Sequence, residues 1–321
     1  MSYLHKSKTA LRLLARLDWA TLHDRWHHHR AERRIARFGG VSFVHHELGF
    51  AAVCHPDWPE SYDQYCRIGG HARTDGDAWE YTLVRRWLQP GDSAIDAGTN
   101  LGLYSFAMAD RIGPTGEVLA VDADPSVVEH LDRATRLLGT AVIRSLHGAV
   151  SDRSGTLTFF LRTDRSVTAD QSLIPDAALR TACTPVEVQA HRFPDLLARL
   201  ARPDRLALVK MDIEGAEALA LSSVPPALLA PAGPLWLVEI NPGVLARFGS
   251  SPEEVLRFFP DTAFERWIVP KHPLGPVTQG IRHYRADDPL RDSLYYNLIA
   301  VPRGGPWESR RARLAANRPT S

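Results

Sequence analysis

The sequence predicts an α/β protein built on a mostly parallel sheet with helices on both faces. Two observations carry that expectation. From Trp79 onward, short strands rich in apolar residues alternate with helical stretches in the order βαβαβ. Parallel neighbours joined in this way need right-handed crossovers, which lay the helices over both faces of the sheet. The composition agrees: 321 residues, 44% hydrophobic and 23% charged, supply a large core and exclude a disordered chain.

Taken in order, residues 1–40 space Leu11, Leu14, Leu17, Leu22, Trp26 and Ile35 as one or two amphipathic helices ending at Gly39-Gly40. Their basic, Trp-bearing face suits packing on the protein's own body or on a second copy, so a homo-oligomer through these helices is an expectation. The stretch VSFVHHELGFAAVCH then alternates like a hairpin around Glu47 to Gly49. AWEYTLVRRWL reads as a helix, SAIDAG as a buried strand, LGLYSFAMADRI as a helix and EVLAVDA as a strand. A helix over Pro125 to Leu138 has Asp124 as its cap, Pro125 at its first position and Gly139 at its close. Its expected buried face is Val128, Leu131, Ala134 and Leu138. Further strands are expected at AVIRSLHGAV, TLTFFL, LALVKMD, LWLVEIN and SLYYNLIAVP, with a helix after Glu214. These elements divide the chain into an N-terminal helical and hairpin extension (1–78), a main domain (79–302) and a basic flexible tail (303–321).

The net charge of +1 is unevenly spread. Residues 1–37 carry nine Lys/Arg against three Asp/Glu, and residues 303–321 carry five Arg against Glu308, which leaves −9 between them. An acidic centre lacks the clustered cations that tracking a nucleic-acid backbone requires, so no nucleic-acid partner is expected of the main domain. Three cysteines (Cys54, Cys66, Cys183) without C-x-x-C spacing argue against a disulfide framework or a structural zinc site. No apolar run approaches the ~20 residues of a membrane span, and Arg12 and Arg16 interrupt the N-terminal apolar stretch where a signal peptide would need continuity. A cytoplasmic location follows as the expectation.

The residues that carry chemistry lie where strands end, because ligands of open α/β sheets bind at the carboxyl edge. The first such end is Asp96-Ala97-Gly98-Thr99-Asn100-Leu101-Gly102, whose glycines permit close backbone approach although G-x-G-x-x-G spacing is absent. A carboxylate at Asp96 repels a pyrophosphate and attracts an ammonium. One strand later Asp122, 24 positions after Gly98, suits the two hydroxyls of a ribose. Together they point to a nucleoside that bears an amino acid.

At GDSAIDAGTNLGLYS, EVLAVDADP, GAVSDRSGTL, VKMDIEGAE, LWLVEINP and the late NLIAVP the sequence resembles the FkbM-type methyltransferases, over about residues 79–302. The resemblance implies a Rossmann-like sheet of seven strands with the last antiparallel, and S-adenosyl-L-methionine as cofactor. It also implies that Asp96, Gly98, Asn100 and Gly102 surround the methionine part, that Asp122 holds the ribose and that Asp152 faces the adenine; a turn carboxylate is the plainer reading of Asp152.

After the fourth strand comes Lys210-Met211-Asp212-Ile213-Glu214-Gly215-Ala216-Glu217. Asp212 and, at the next strand end, Glu239 are the candidate catalytic residues, Asp212 taking a hydroxyl proton with help from Glu239 and without a metal. Glu214 and Glu217 fall in the first turn of a helix, where carboxylates are favoured by the dipole. His191 stands where the family usually has a Thr-Leu-Asp-like stretch, and His272 and His283 lie in a Pro/Gly-rich segment able to cover the site; all three are secondary acid/base candidates. The leading expectation is O-methylation of a small hydroxylated metabolite, a sugar or natural-product scaffold. Alternatives are a methyltransferase for nucleic acid or protein, an NAD-dependent oxidoreductase and a non-catalytic binding protein.

Overall fold

The computed structural model describes residues 42–44, 50–53, 76–162, 173, 183–271, 282–284 and 295–316. The helices expected in residues 1–40, and His272 with the segment around it, lie outside these. The strands are β1 (Ser42–Val44), β2 (Ala51–Val53), β3 (Ser93–Ala97), β4 (Glu117–Asp122), β5 (Ile143–His147), β6 (Ala149–Val150), β7 (Gly155–Arg162), β8 (Cys183–His191), β9 (Leu206–Met211), β10 (Leu235–Ile240), β11 (Phe264–Lys271), β12 (Arg282–His283) and β13 (Tyr295–Pro302). The α-helices are α1 (Gly76–Trp87), α2 (Leu103–Ile112), α3 (Pro125–Leu138), α4 (Phe193–Leu197), α5 (Glu217–Ser222), α6 (Pro242–Arg247), α7 (Pro252–Arg257) and α8 (Glu308–Ala316).

The central sheet has the order β12-β11-β13-β10-β9-β3-β4-β5. β10, β9, β3, β4 and β5 are parallel, and β13 runs antiparallel between β10 and β11. Seven strands therefore make the expected mostly parallel sheet, with the last strand antiparallel, and the two-residue β12 extends its edge. β3 and β9 are buried along their whole length, as inner strands covered on both faces must be. On one face Ala94, Ala120, Leu208, Leu237 and Ile299 pack under Trp87 of α1, Phe106 of α2 and Leu131 of α3. On the other, Ile95, Val121, Val209, Trp236 and Leu298 meet Phe193 of α4, Leu221 of α5 and Leu245 of α6.

The caps of α3 form as the sequence indicates. Asp124 Oδ1 accepts from the Ser126 N–H at 2.8 Å, and Gly139 closes the helix in the left-handed region. The buried face keeps Leu131 and Ala134, with half-buried Leu138 packed against the core, and widens to Val127 and His130, while Val128 is half-buried. The burial of His130 has a cause in the hairpin β1–β2, whose Val53 carbonyl meets His130 Nε2 at 3.0 Å.

Two other parts differ from expectation. TLTFFL belongs to a separate sheet, β6-β8-β7, and its partner β8 was not among the expected strands. Within the basic tail, expected to be flexible, Glu308–Ala316 form α8: Arg310 forms a fork to Asp92 at 2.5 and 3.0 Å and donates to the Trp87 carbonyl at 3.1 Å, while the Trp307 ring lies tilted against Trp87, 5.8 Å between centres. A charge that looked solvated is in fact a buried partner. Among the described residues no helix is long and apolar enough to cross a membrane.

Candidate active site

The polar residues at the carboxyl edge share one face. Asp96 pairs in register with Lys210, and Glu239 with Asn297, so these side chains emerge on the side of the sheet that α1 and α2 cover. Asp96 is fully buried: its Oδ2 accepts from Thr99 Oγ1 at 2.9 Å and Ser105 Oγ at 2.7 Å, and its Oδ1 lies 3.5 Å from Lys210 Nζ. Lys210 Nζ donates to the Gly98 carbonyl at 2.9 Å, lies 3.5 Å from Asp212 Oδ2 and sits 5.1 Å from the Tyr104 ring centroid. This lysine therefore joins the exits of β3 and β9.

The two glycines of the first turn answer to packing. Gly98 has φ 73°, and a Cβ there would fall 1.7 Å from the Asp212 carbonyl oxygen; a Cβ on Gly102, with φ 77°, would fall 2.5 Å from Leu131 Cδ2. Between them Asn100, at φ 48°, gives its N–H to Asp122 Oδ2 at 2.8 Å, and its own Oδ1 is buried without a hydrogen-bond partner. Asp122 Oδ1 accepts the Asp124 N–H at 2.9 Å. Burial, with the neighbouring Asp124 charge, pushes the Asp122 carboxyl up to about 6 against the pull of those two N–H groups and of Lys210. Asp152 follows β6, is exposed, and accepts from Ser151 Oγ at 3.0 Å.

At the exits of β9 and β10 stand Asp212, Glu214 and Glu239, all half-buried, each offering an oxygen within 4.8 Å of the others. The sequence pairs Asp212 with Glu239; the structure adds Glu214, whose φ of 55° brings it out of the helical path expected for it. It also adds a buried frame. Asn297 Nδ2 donates to Glu80 Oε1 at 2.6 Å, and the Tyr104 hydroxyl donates to Glu80 Oε2. No signal marks Glu80 in AWEYTLVRRWL; Asn297 stands in the NLIAVP motif, and its register with Glu239 is the clue the motif held.

The other histidines are elsewhere. His191 ends β8, pairs in register with Val150 of β6, and is held below its ordinary pKa chiefly by burial and then by the Arg199 charge. His283 on β12 is four strands from β9, about 19 Å at about 4.8 Å per strand, and sits 3.4 Å from Glu265.

The described residues fit an S-adenosylmethionine-type ligand. Asn100 Oδ1 lacks a donor, and each Asp122 oxygen, having accepted one N–H, keeps a second lone pair; these acceptors suit a ribose diol and an ammonium better than a pyrophosphate.

The chain is similar to known methyltransferases. "Methyltransferase 1" of Beauveria bassiana (strain ARSEF 2860) is 28% identical over 143 residues, 40% of this chain and 57% of the relative, so the chain spans little more than half of that protein's length. Among solved structures, methyltransferase FkbM from Methylobacillus flagellatus KT is 15% identical with a TM-score of 0.39, over 66% of this chain and 44% of that one. A putative rRNA methylase from Clostridium thermocellum is 11% identical with a TM-score of 0.41, over 72% and 98%. The family profile described as the methyltransferase FkbM domain matches residues 96–265, from Asp96 at the first strand end into β11 and more than half of the chain. The chain belongs to the FkbM methyltransferase family.

Proposed function

We propose that the protein is an S-adenosylmethionine-dependent methyltransferase that acts on a hydroxyl oxygen of a small metabolite, a sugar or natural-product scaffold, with Asp212 taking the proton and Glu239 assisting. The observation that carries this reading is the convergence of Asp212 and Glu239 at the exits of neighbouring strands, beside the turn that fits the cofactor. The sulfonium of S-adenosylmethionine, when bound, supplies an activated methyl group. What remains for the protein is alignment and proton removal. Asp122 holds the ribose side and Asn100 the methionine side; Asp96, expected beside the methionine part, is instead fully buried against Thr99, Ser105 and Lys210 and keeps Lys210 in place, and Asp152 is assigned to the adenine. Asp212 would take the acceptor hydroxyl's proton as the methyl carbon exchanges its bond to sulfur for one to oxygen, the electron pair staying on sulfur as a neutral thioether, and Lys210 at 3.5 Å fixes that carboxylate's direction.

A second reading has its own observation, the third carboxylate. Three oxygen ligands within 4.8 Å suit a divalent cation, which lowers the pKa of a coordinated hydroxyl directly. The experiment incubates the protein with methyl-labelled cofactor and a panel of hydroxylated metabolites, with and without chelator. Alongside run Asp212→Asn and Glu239→Gln at saturating cofactor. Transfer that survives chelator and falls in Asp212→Asn supports the base. Loss on chelation, restored by magnesium, establishes the cation, and label in nucleic acid or protein alone overturns the small-molecule acceptor.

A further inference from the structure

Glu217 is the first residue of α5, where the sequence gives a carboxylate nothing more specific than a favourable place in the helix dipole. The structure turns its side chain back onto the preceding loop. Glu217 Oε1 accepts the N–H of Ile213 at 2.9 Å and of Gly215 at 3.3 Å, and the residue is only 1% exposed. Those two amides follow Asp212 and flank Glu214.

The loop needs such a hold. Glu214 is in the left-handed region at φ 55°, a conformation that costs energy for any residue with a Cβ, and Gly215 follows at φ 101°. A Cβ on Gly215 would lie 2.8 Å from Phe248 and Val244, so α6 and the residue after it press on the loop from below. At its start the loop is tied where the Asp212 N–H reaches the Ala97 carbonyl at 3.0 Å. The acceptor that bonds the middle of the turn is Glu217.

We propose that Glu217 is a positioning residue for methyl transfer: by holding the Ile213 and Gly215 amides it fixes the left-handed turn that sets Asp212 and Glu214 at the acceptor side of the site. This rests on the reading of Asp212 as the residue that takes the proton. Glu217 itself is too deeply buried to touch substrate. Its hold does not require a charge, since a neutral carboxyl or an amide accepts both bonds through its carbonyl oxygen. Glutamine is therefore the conservative variant, and methionine is the variant of similar length that offers no comparable acceptor.

The test uses the full chain as wild type, Glu217→Gln and Glu217→Met. Amide hydrogen exchange comes first, because it needs no acceptor substrate. The Ile213 and Gly215 amides should exchange about tenfold faster in Glu217→Met than in wild type, and within about threefold of wild type in Glu217→Gln. With the acceptor found by the labelled-methyl assay, kcat should fall about tenfold in Glu217→Met while the Kd for S-adenosylhomocysteine stays within about twofold, and Glu217→Gln should recover most of the lost rate. The proposal is overturned by wild-type kcat in Glu217→Met, by equal losses in both variants, or by a loss that appears in cofactor affinity instead of rate. Wild-type amides that exchange freely overturn it without any variant. If Asp212→Asn transfers normally while Glu217→Met shows the exchange change, the reading of Asp212 fails and Glu217 keeps only its bond to the turn.

Discussion

Asp122 and Glu217 show how burial tunes single carboxyls. Asp122, raised to about 6, is the residue proposed to hold the ribose. Its ionised form accepts from a diol at both oxygens, and protonation occupies one of those positions. The Kd for S-adenosylhomocysteine should therefore rise as pH falls through about 6, and calorimetry between about pH 5 and 8 should find that dependence flattened in Asp122→Asn, which itself binds more weakly by about 1–3 kcal/mol. Glu217, raised to about 7 from 4.5 mainly by burial, bears on stability. A carboxyl whose folded-state pKa lies above its unfolded value favours the folded state below the unfolded pKa, and that contribution fades as pH rises through the folded one. Urea unfolding should show wild type losing stability relative to Glu217→Gln between pH 4.5 and about 7, by roughly 3 kcal/mol in all. A flat difference across that range would mean that Glu217 is ionised in the folded protein at no cost. At this scale the strand-end acids were legible, because a carboxylate directly after an apolar strand has few structural reasons to be there. Glu80 and Asn297 were not, since their partnership spans the whole domain and each alone looks like an ordinary polar residue.

Elements were legible wherever local chemistry decides them. The caps of α3 are complete within the sequence, and the helix starts and stops where they put it. Its buried face is wider than expected, taking in Val127 and His130, because the hairpin β1–β2 meets it at His130, a contact that periodicity within the helix does not record. β8 escaped for a related reason: Thr184, Pro185 and Glu187 are exposed on a strand of a small sheet, and their polarity hides the Val186, Val188 and Ala190 that alternate with them. α8 escaped because its arginines looked solvated. Arg310 is buried against Asp92, which is 1% exposed, and removing one member of such a pair leaves the other charge uncompensated. Arg310→Ala should cost about 3 kcal/mol in denaturant unfolding, with the Gln89 N–H and the more distant Arg205 still at Asp92 to limit the damage. Arg311→Ala, on the half-exposed side of the same helix, is the control and should change stability by about 0.5 kcal/mol or less.

For the whole molecule, the family-matched region supplies the glycine turn proposed for the cofactor and the three carboxylates, and the parts outside it close the core around them. Glu80 of α1 and Asn297 of β13 both lie outside residues 96–265, yet they meet at 2.6 Å beneath Glu239 and Tyr104. The same division applies at the amino end. Phe50, Ala52 and Val53 belong to the core that α1, α2 and α3 share, and Phe50 lies 5.8 Å from Tyr81, ring centre to ring centre. Deleting residues 1–40 should leave the Kd for S-adenosylhomocysteine within a few-fold, because none of the cofactor-turn residues lies there; its effect should fall on turnover or on subunit number, which light scattering reads. Deleting residues 1–53 should instead cost stability, since it uncovers α3 and removes a fully buried phenylalanine worth about 3 kcal/mol or more. Thermal unfolding of the two truncations separates these outcomes. A protein lacking residues 1–40 that folds normally but cannot bind cofactor would show that the N-terminal segment completes the site, and equal stability of the two truncations would show that the hairpin's burial contributes nothing to the fold.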